Sequence, residues 1–280
     1  MQAVLLSEKK DESMELIQDG MLKAGFEHTG FIYLSRVGLL TKNNKTKIAA
    51  GNVNFEKYDC VYIKADPELT QFVEPLADEL RQKGIYCNIK PESYYIVSNK
   101  PYLYSVLHQK KIEAQKTTII HSHSMILDSI TSFEYPILIK TFSGIKKTQS
   151  LVIDSLRGLK SFIKSIKASV SAVTIQEYLQ GDVIYCAVIG EKVFAYKRKW
   201  IEKEFEHSQK MLSVALSDKE KEQALKSSEA CSLDIALVKM INGKVINVHP
   251  LLDLSTFNKA LGKELQETIG QYFMEKAKGE

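Results

Sequence analysis

Val173-Thr174-Ile175-Gln176-Glu177-Tyr178-Leu179, closed off by Gly181-Asp182, is the stretch that decides the fold. β-branched residues alternate with polar ones until a glycine stops the run, which predicts a strand ending at a turn. Upstream, Tyr135-Pro136-Ile137-Leu138-Ile139-Lys140 is a second apolar run, and it delivers a lysine into a turn at Ser143-Gly144. A lysine at the mouth of a glycine turn can hold a phosphate. The main-chain N–H and C=O groups of the Gln-Glu-Tyr-Leu strand can pair with an adenine. Together the two strands predict a nucleotide site built between two sheets.

The surrounding chain is ordinary for a soluble globular protein of two or three small lobes: 280 residues, 44% hydrophobic and 26% charged. No apolar run reaches the ~18 residues a membrane span needs. The N-terminus, Met1-Gln2-Ala3-Val4-Leu5-Leu6-Ser7-Glu8, turns charged too soon for a secretory signal. A cytoplasmic protein with no membrane partner is therefore expected. Cys60, Cys87, Cys186 and Cys231 stand singly, without metal-ligand spacing, and are expected to be buried small hydrophobes. The net charge of +4, from 38 basic and 34 acidic residues, has neither a clustered patch nor a recognition motif behind it, so no nucleic-acid partner is expected.

Up to about residue 95 strands alternate with helices: Ala3–Ser7, helix 11–24, strands Phe31–Val37 and Tyr58–Lys64, helix Leu69–Lys83 ending at Gly84, and strand Ile85–Asn88. That alternation implies a parallel sheet. No G-x-G-x-x-G follows the first strand, so a dinucleotide-binding lobe lacks its phosphate loop. Helix 102–110, strand 117–121, helix 124–131, strand 137–140, its partner 151–154 and helix 156–166 come next. Antiparallel β follows from Thr174, with strands 174–179, 183–189 and 193–200. Helix Asp218–Ala230, a hairpin around Asn242-Gly243 and a closing helix 261–276 complete the chain.

This order of elements resembles the ATP-grasp superfamily, most closely its RimK-type and glutathione-synthetase-like branch, over roughly residues 55 to 275. The residues that carry the resemblance are Tyr58–Lys64, Gly84–Asn88 and Asn99-Lys100, then Gln176-Glu177-Tyr178-Leu179 with Gly181-Asp182, Val188-Ile189-Gly190 and Val193–Lys199, and last Leu233–Leu237 with the final hairpin. The resemblance implies an ATP-grasp fold of mixed α/β and α+β class. Residues 1–95 would be an N-terminal parallel α/β lobe, 96–172 a central lobe and 173–280 a C-terminal lobe, the last two clamping ATP. It implies an ATP- and Mg²⁺-dependent carboxylate–amine ligase that acts through an acyl phosphate on small-molecule or peptide substrates. A homo-oligomer is compatible with it.

Site residues follow from the same match. Lys100 and Lys140 would hold phosphates, while Gln176, Glu177, Tyr178 and Leu179 would hold adenine. Asp182 would reach a ribose hydroxyl or else shape a turn. Arg198, or its neighbour Lys199, would clamp substrate. Asp234 with Asn247 and His249 would hold the metal, the last two pointing the same way because strand residues alternate. Several positions depart from the family. Asn247 and His249 stand where it carries Glu and Asn, and imidazole suits Mg²⁺ poorly. An alternative register places Leu237-Val238-Lys239 at the acidic position and puts a cation where the metal would sit. The loop Ser143-Gly144-Ile145-Lys146-Lys147 has a single glycine. Glu204–Lys210 lacks the family's arginine, asparagine and glycine pair, and Tyr185 replaces an arginine. Two alternatives stay open: a weakened ATP-grasp protein that binds nucleotide or a partner without ligation, and a small-molecule kinase of the same superfamily. His121 and His123, an isolated H-x-H, are expected in a solvated loop.

Overall fold

The computed structural model describes residues 1–43, 45–143, 146–166, 170–202 and 206–279. Gly144 and Ile145 of the lysine-bearing turn, and Glu204 and Phe205 of the segment after the hairpin, lie outside them.

The N-terminal lobe contains β1 (Gln2–Ser7), α1 (Glu12–Lys23), β2 (His28–Tyr33), β3 (Gly38–Lys42), β4 (Lys45–Ala49), β5 (Cys60–Lys64), α2 (Thr70–Gln82), β6 (Tyr86–Cys87) and α3 (Ser93–Ser98). Its sheet is parallel in the order β2-β1-β5-β6, as alternating strands and helices require, with β3-β4 as a separate hairpin. The Asp11 carboxylate caps α1 by accepting from Met14 N at 3.1 Å and is tied to Lys64 of β5 at 2.6 Å.

The central lobe runs through α4 (Lys100–Gln109), β7 (Thr117–Ile120), α5 (Ile126–Ser129), β8 (Ile137–Ser143), β9 (Lys146–Ile153), α6 (Leu156–Ser165) and β10 (Ala172–Glu177). Its antiparallel sheet is ordered β7-β10-β8-β9. The expected boundary at residue 173 falls within β10, whose backbone hydrogen bonds go to β7 and β8. One face of this sheet, with Ile137, Ile139, Val173 and Ile175, packs on Ile126, Leu159 and Phe162 as a small separate core.

The C-terminal lobe holds β11 (Val183–Ile189), β12 (Lys192–Ile201), β13 (Glu206–Ser213), α7 (Asp218–Ala230), β14 (Ile235–Ile241), β15 (Lys244–His249), α8 (Leu254–Leu261) and α9 (Leu265–Lys278). The sheet order is β13-β12-β11-β14-β15. A capping box, Ser217 with Glu220, starts α7 at the expected residue. Asn242 and Gly243 take φ of +50° and +75° to turn β14 into β15. Both faces of this sheet are buried. Cys186, Val188, Val238 and Met240 pack in one cluster that reaches the N-terminal sheet, whereas Ala187, Ile189 and Ile235 pack in another with α1 and α9. The N- and C-terminal lobes thus share cores. Among the described residues no helix is long and apolar enough to cross a membrane. All four cysteines are free, with Cys60, Cys186 and Cys231 buried.

Candidate functional site

The upper end of the C-terminal sheet presents one row of side chains across four strands. Tyr196 pairs with Tyr185, Tyr185 with Lys239, and Lys239 with Asn247, so all four share a face. The Tyr185 ring stacks on Tyr196 at 4.8 Å between centroids. Arg198 Cζ lies 5.6 Å and Lys239 Nζ 5.0 Å from the Tyr185 centroid, within cation–π reach. The next row pairs Leu237 with His249.

Two lysines from the central lobe meet this face. Lys100 opens α4 behind the Asn99 cap and donates from Nζ to Asn247 Oδ1 at 2.9 Å and to the Val248 carbonyl at 3.4 Å. Lys140, on β8, donates to Tyr104 Oη at 3.3 Å, and Tyr104 in turn donates to the Ile246 carbonyl of β15. None of Lys100, Lys140, Arg198 and Lys239 forms an ion pair among the described residues. Burial, then the charges of Lys140 and Lys239, hold Lys100 down to about 8. Burial and Arg198 lower Lys239. Burial, Lys100 and Lys239 push His249 down to about 4, so it is neutral at pH 7.

A stability prediction arises here. His249 ionises in the unfolded chain near its ordinary 6.5 but in the folded chain only near 4. Stability is then lost as pH falls from 6.5 towards 4, because the unfolded state takes the proton first. Urea midpoints measured across that window should fall more steeply for the native chain than for His249→Gln. Parallel curves would remove His249 from the account.

Three buried side-chain atoms lack a hydrogen-bond partner among the described residues: Thr174 Oγ1, Gln176 Oε1 and Arg198 Nε. Thr174 lies directly opposite Lys140, and Gln176 is two residues further along the same strand, so the three share the sheet face turned away from the central core. Gln176 Nε2 donates to Thr117 Oγ1 at 2.8 Å. Buried polar atoms are nearly always paired, and an orphaned acceptor and hydroxyl beside a lysine fit a polar ligand such as a nucleotide.

The Glu177 carboxylate accepts from Lys244 Nζ at 2.7 and 2.8 Å and from Lys116 N at 2.7 Å, which ties β10 to β15. Its main-chain N–H donates to the Lys116 carbonyl and its carbonyl accepts from Gln115 Nε2. Tyr178 and Leu179 are half-buried just beyond it. Asp182 is held by Lys197 Nζ at 2.8 Å and Trp200 N at 3.1 Å, and the Lys197 bond lowers its carboxyl. Gly181 takes φ of +146°, and a Cβ there would lie 2.6 Å from Asn242 Oδ1. Lys199 is exposed, whereas Arg198 is half-buried over Tyr185.

The expected metal group does not assemble. Asp234 precedes β14, its Oδ2 accepts from Tyr86 Oη at 2.6 Å, and its carbonyl accepts from Gly190 N. The register places Leu237 opposite His249 and Lys239 opposite Asn247, with a bulge after Lys239, so Asp234 projects past the end of β15. The pairing sets Lys239, the cation of the alternative register, opposite Asn247. Mg²⁺ needs carboxylate and other oxygen ligands in near-octahedral array. Here Asn247 Oδ1 is engaged by Lys100, His249 Nδ1 accepts from Leu251 N, and Lys239 is a cation. Among the described residues no group of three or more His, Cys, Asp or Glu is placed to hold a metal. These residues do not fit Mg²⁺.

Tyr104, Gln115 and Lys244 build this cleft without having been expected in it. Lys239, which only the alternative register names, stands out in the sequence as a charged residue inside the apolar run 235–241. His121 bonds the Ser171 carbonyl through Nδ1 at 3.0 Å, in keeping with a loop role.

Comparison with known proteins gives likenesses of three kinds. Residues 97–272 match the model of a family described as the RimK-like ATP-grasp domain. A probable alpha-L-glutamate ligase of Vibrio atlanticus is 24% identical over 251 residues, covering 84% of this chain and 83% of its own, and one of Mannheimia succiniciproducens is 24% identical over 235 residues, covering 79% and 78%. Among solved structures, the ATP-grasp ligase PsnB complexed with precursor peptide PsnA2 and AMPPNP superposes with a TM-score of 0.75 at 12% identity, covering 99% of this chain and 98% of that one. A RimK domain ATP-grasp protein from Sphaerobacter thermophilus superposes with a TM-score of 0.72 at 14% identity, covering 97% and 99%.

Proposed function

Because this chain belongs to the RimK-like ATP-grasp family, we propose that it is an ATP-dependent carboxylate–amine ligase working in the cleft between its central and C-terminal sheets. The observation that carries this is the bond of Lys100 to β15 and of Lys140 to Tyr104, which itself bonds β15, beside the orphaned polar face of Thr174 and Gln176. Gln176, Glu177, Tyr178 and Leu179 border the adenine, and Lys100 and Lys140 hold the phosphates. The substrate carboxylate attacks the terminal phosphorus and ADP leaves. The amine then attacks the acyl carbon, loses its proton and expels phosphate. Negative charge developing in the first step is met by Lys100, Lys140, Lys239 and Arg198. A groove of about 510 Å³ between the lobes, lined by Ser13, Lys239, His249, Leu251 and Asp253, suits the carboxylate and the amine. Relatives named as alpha-L-glutamate ligases support glutamate as one of the joined amino acids.

A second reading, nucleotide binding without ligation, is favoured by Asn247 and His249 standing where the family carries Glu and Asn, with the cation of Lys239 opposite Asn247. Incubating the protein with ATP, single amino acids and short peptides, then reading product masses and ADP together, separates the two. An amide product with matching ADP supports the ligase. Bound ATP with neither amide nor ADP supports the second reading and overturns the first, and ADP with a stable phosphorylated substrate would identify a kinase.

A further inference from the structure

Four cationic side chains, from α4, β8, β12 and β14, reach one end of the cleft without a carboxylate partner among the described residues. Lys100 and Lys140 come from the central lobe; Arg198 and Lys239 flank the Tyr185 ring from the C-terminal sheet. Like charges gathered in a half-buried space repel one another and lose water, and both effects favour an incoming anion. Arg198 Nε is a buried donor with no partner among the described residues. Asn247, beneath Lys100, offers its carbonyl oxygen to that ammonium, which leaves it a poor ligand for a metal ion. The His249 ring takes a hydrogen bond from Leu251 N and brings no carboxylate oxygen. A second cation brought among these four side chains meets their repulsion; the carboxylates of Asp11, Glu12 and Asp253 line the adjoining groove.

We propose that this end of the cleft is a polyanion site that works without a divalent metal. Lys100, Lys140, Lys239 and Arg198 neutralise a triphosphate directly, and the positions at which a metal would be liganded hold Lys239, Asn247 and His249. The inference rests on the assignment of the cleft to ATP, and it carries a consequence that assignment lacks. Mg²⁺ in solution removes two negative charges from ATP on complexing it, so it competes with the four side chains for the same phosphate oxygens. The favoured ligand is then metal-free ATP, or another compound bearing a di- or triphosphate.

Calorimetric titration of the full chain with ATP and with inorganic triphosphate, each in EDTA and in excess Mg²⁺, tests this. Both ligands are expected to bind in EDTA, and Mg²⁺ is expected to weaken them severalfold. ATP binding that appears only with Mg²⁺, or tightens tenfold with it, overturns the inference and leaves the ATP assignment standing. Triphosphate binding in EDTA without any ATP binding supports the inference and removes the ATP assignment. No binding of either ligand removes both.

Lys239→Met should weaken triphosphate in EDTA by about tenfold, the worth of one charge-assisted hydrogen bond, with an unchanged melting temperature. Unchanged affinity in a folded variant takes Lys239 out of the site and overturns the proposal as stated. The combined variant Lys239→Asp, Asn247→Glu, His249→Asn restores acidic and amide oxygens. It should reverse the preference, so that ATP binds more tightly with Mg²⁺ than in EDTA. If that triple variant does not fold, Lys239→Met and the native titrations still decide the matter.

Discussion

Lys140→Ala is expected to weaken ATP binding by about 10- to 100-fold while leaving the melting temperature nearly unchanged. The reason lies in what the ammonium touches. Its protein contacts are Tyr104 Oη at 3.3 Å and the Tyr104 ring, whose centroid is 5.7 Å away. It holds no ion pair among the described residues, so folding loses a half-buried 3.3 Å hydrogen bond to Tyr104 Oη and a cation–π contact of roughly 0.5–1 kcal/mol. A bound phosphate offers a charged acceptor instead. Hydrogen bonds to charged groups contribute about 1.5–3 kcal/mol, which is the stated range of affinity loss. Lys140→Arg keeps the charge and should recover most of the binding. Titration calorimetry of the three proteins, with thermal melts alongside, is the measurement. Equal affinity for Lys140→Ala and the native chain would refute the phosphate role.

Gly270→Ala is expected to destabilise the whole protein by about 3 kcal/mol or more, at the upper end of what overpacking costs. Helices α1 and α9 cross with their backbones in contact. A Cβ on Gly270 would lie 2.0 Å from Gly20 O and 2.9 Å from Met21 N, and a Cβ on Gly20 would lie 2.1 Å from Gln266 O. These obstacles are main-chain atoms and cannot swing away as a long side chain does. The helices must separate, and Ile17, Met21, Ile269 and Phe273, all fully buried, lose their packing when they do. For a chain of this size such a loss lowers the melting temperature by roughly 6–12 °C. A melt within a degree of the native value would show that the crossing has slack. The crossing also joins the first lobe to the last helix, so Gly20→Ala should act in the same direction.

Local pattern was enough for much of this fold. Asp218–Ala230 was legible as a helix because Ser217 and Glu220 form its cap within four residues of chain. The β14–β15 hairpin was legible because Asn242-Gly243 settles its own turn. The β3–β4 hairpin was missed because Lys42, Lys45 and Lys47 fill it with exposed charge and little alternation survives. Strand β13 and helix α8 were missed as well. β13 borrows its hydrogen bonds from β12, and α8 rests on Tyr196 of β12 through Phe257. The expected strand 31–37 stops at Tyr33, where the backbone turns into a short 3₁₀ helix at Leu34–Arg36. In the cleft, Lys100, Lys140 and Gln176–Leu179 were legible as candidates because a charged or polar residue at a strand or helix end is a local feature.

By itself the sequence determined most of the strands and helices, and where their caps and tight turns fall. These follow from periodicity and turn chemistry, which act over a few residues. Only the tertiary structure decided which sheet claims β10, and which side chains of β14 face β15. Strand pairing is a long-range choice, and a shift of register exchanges the residues that meet. Asp234 and Lys239 are five positions apart on one segment, yet the pairing of Lys239 with Asn247 sends the first to Tyr86 and the second into the cleft. A carboxylate visible in the sequence thereby leaves the site, and a cation takes the place expected of it.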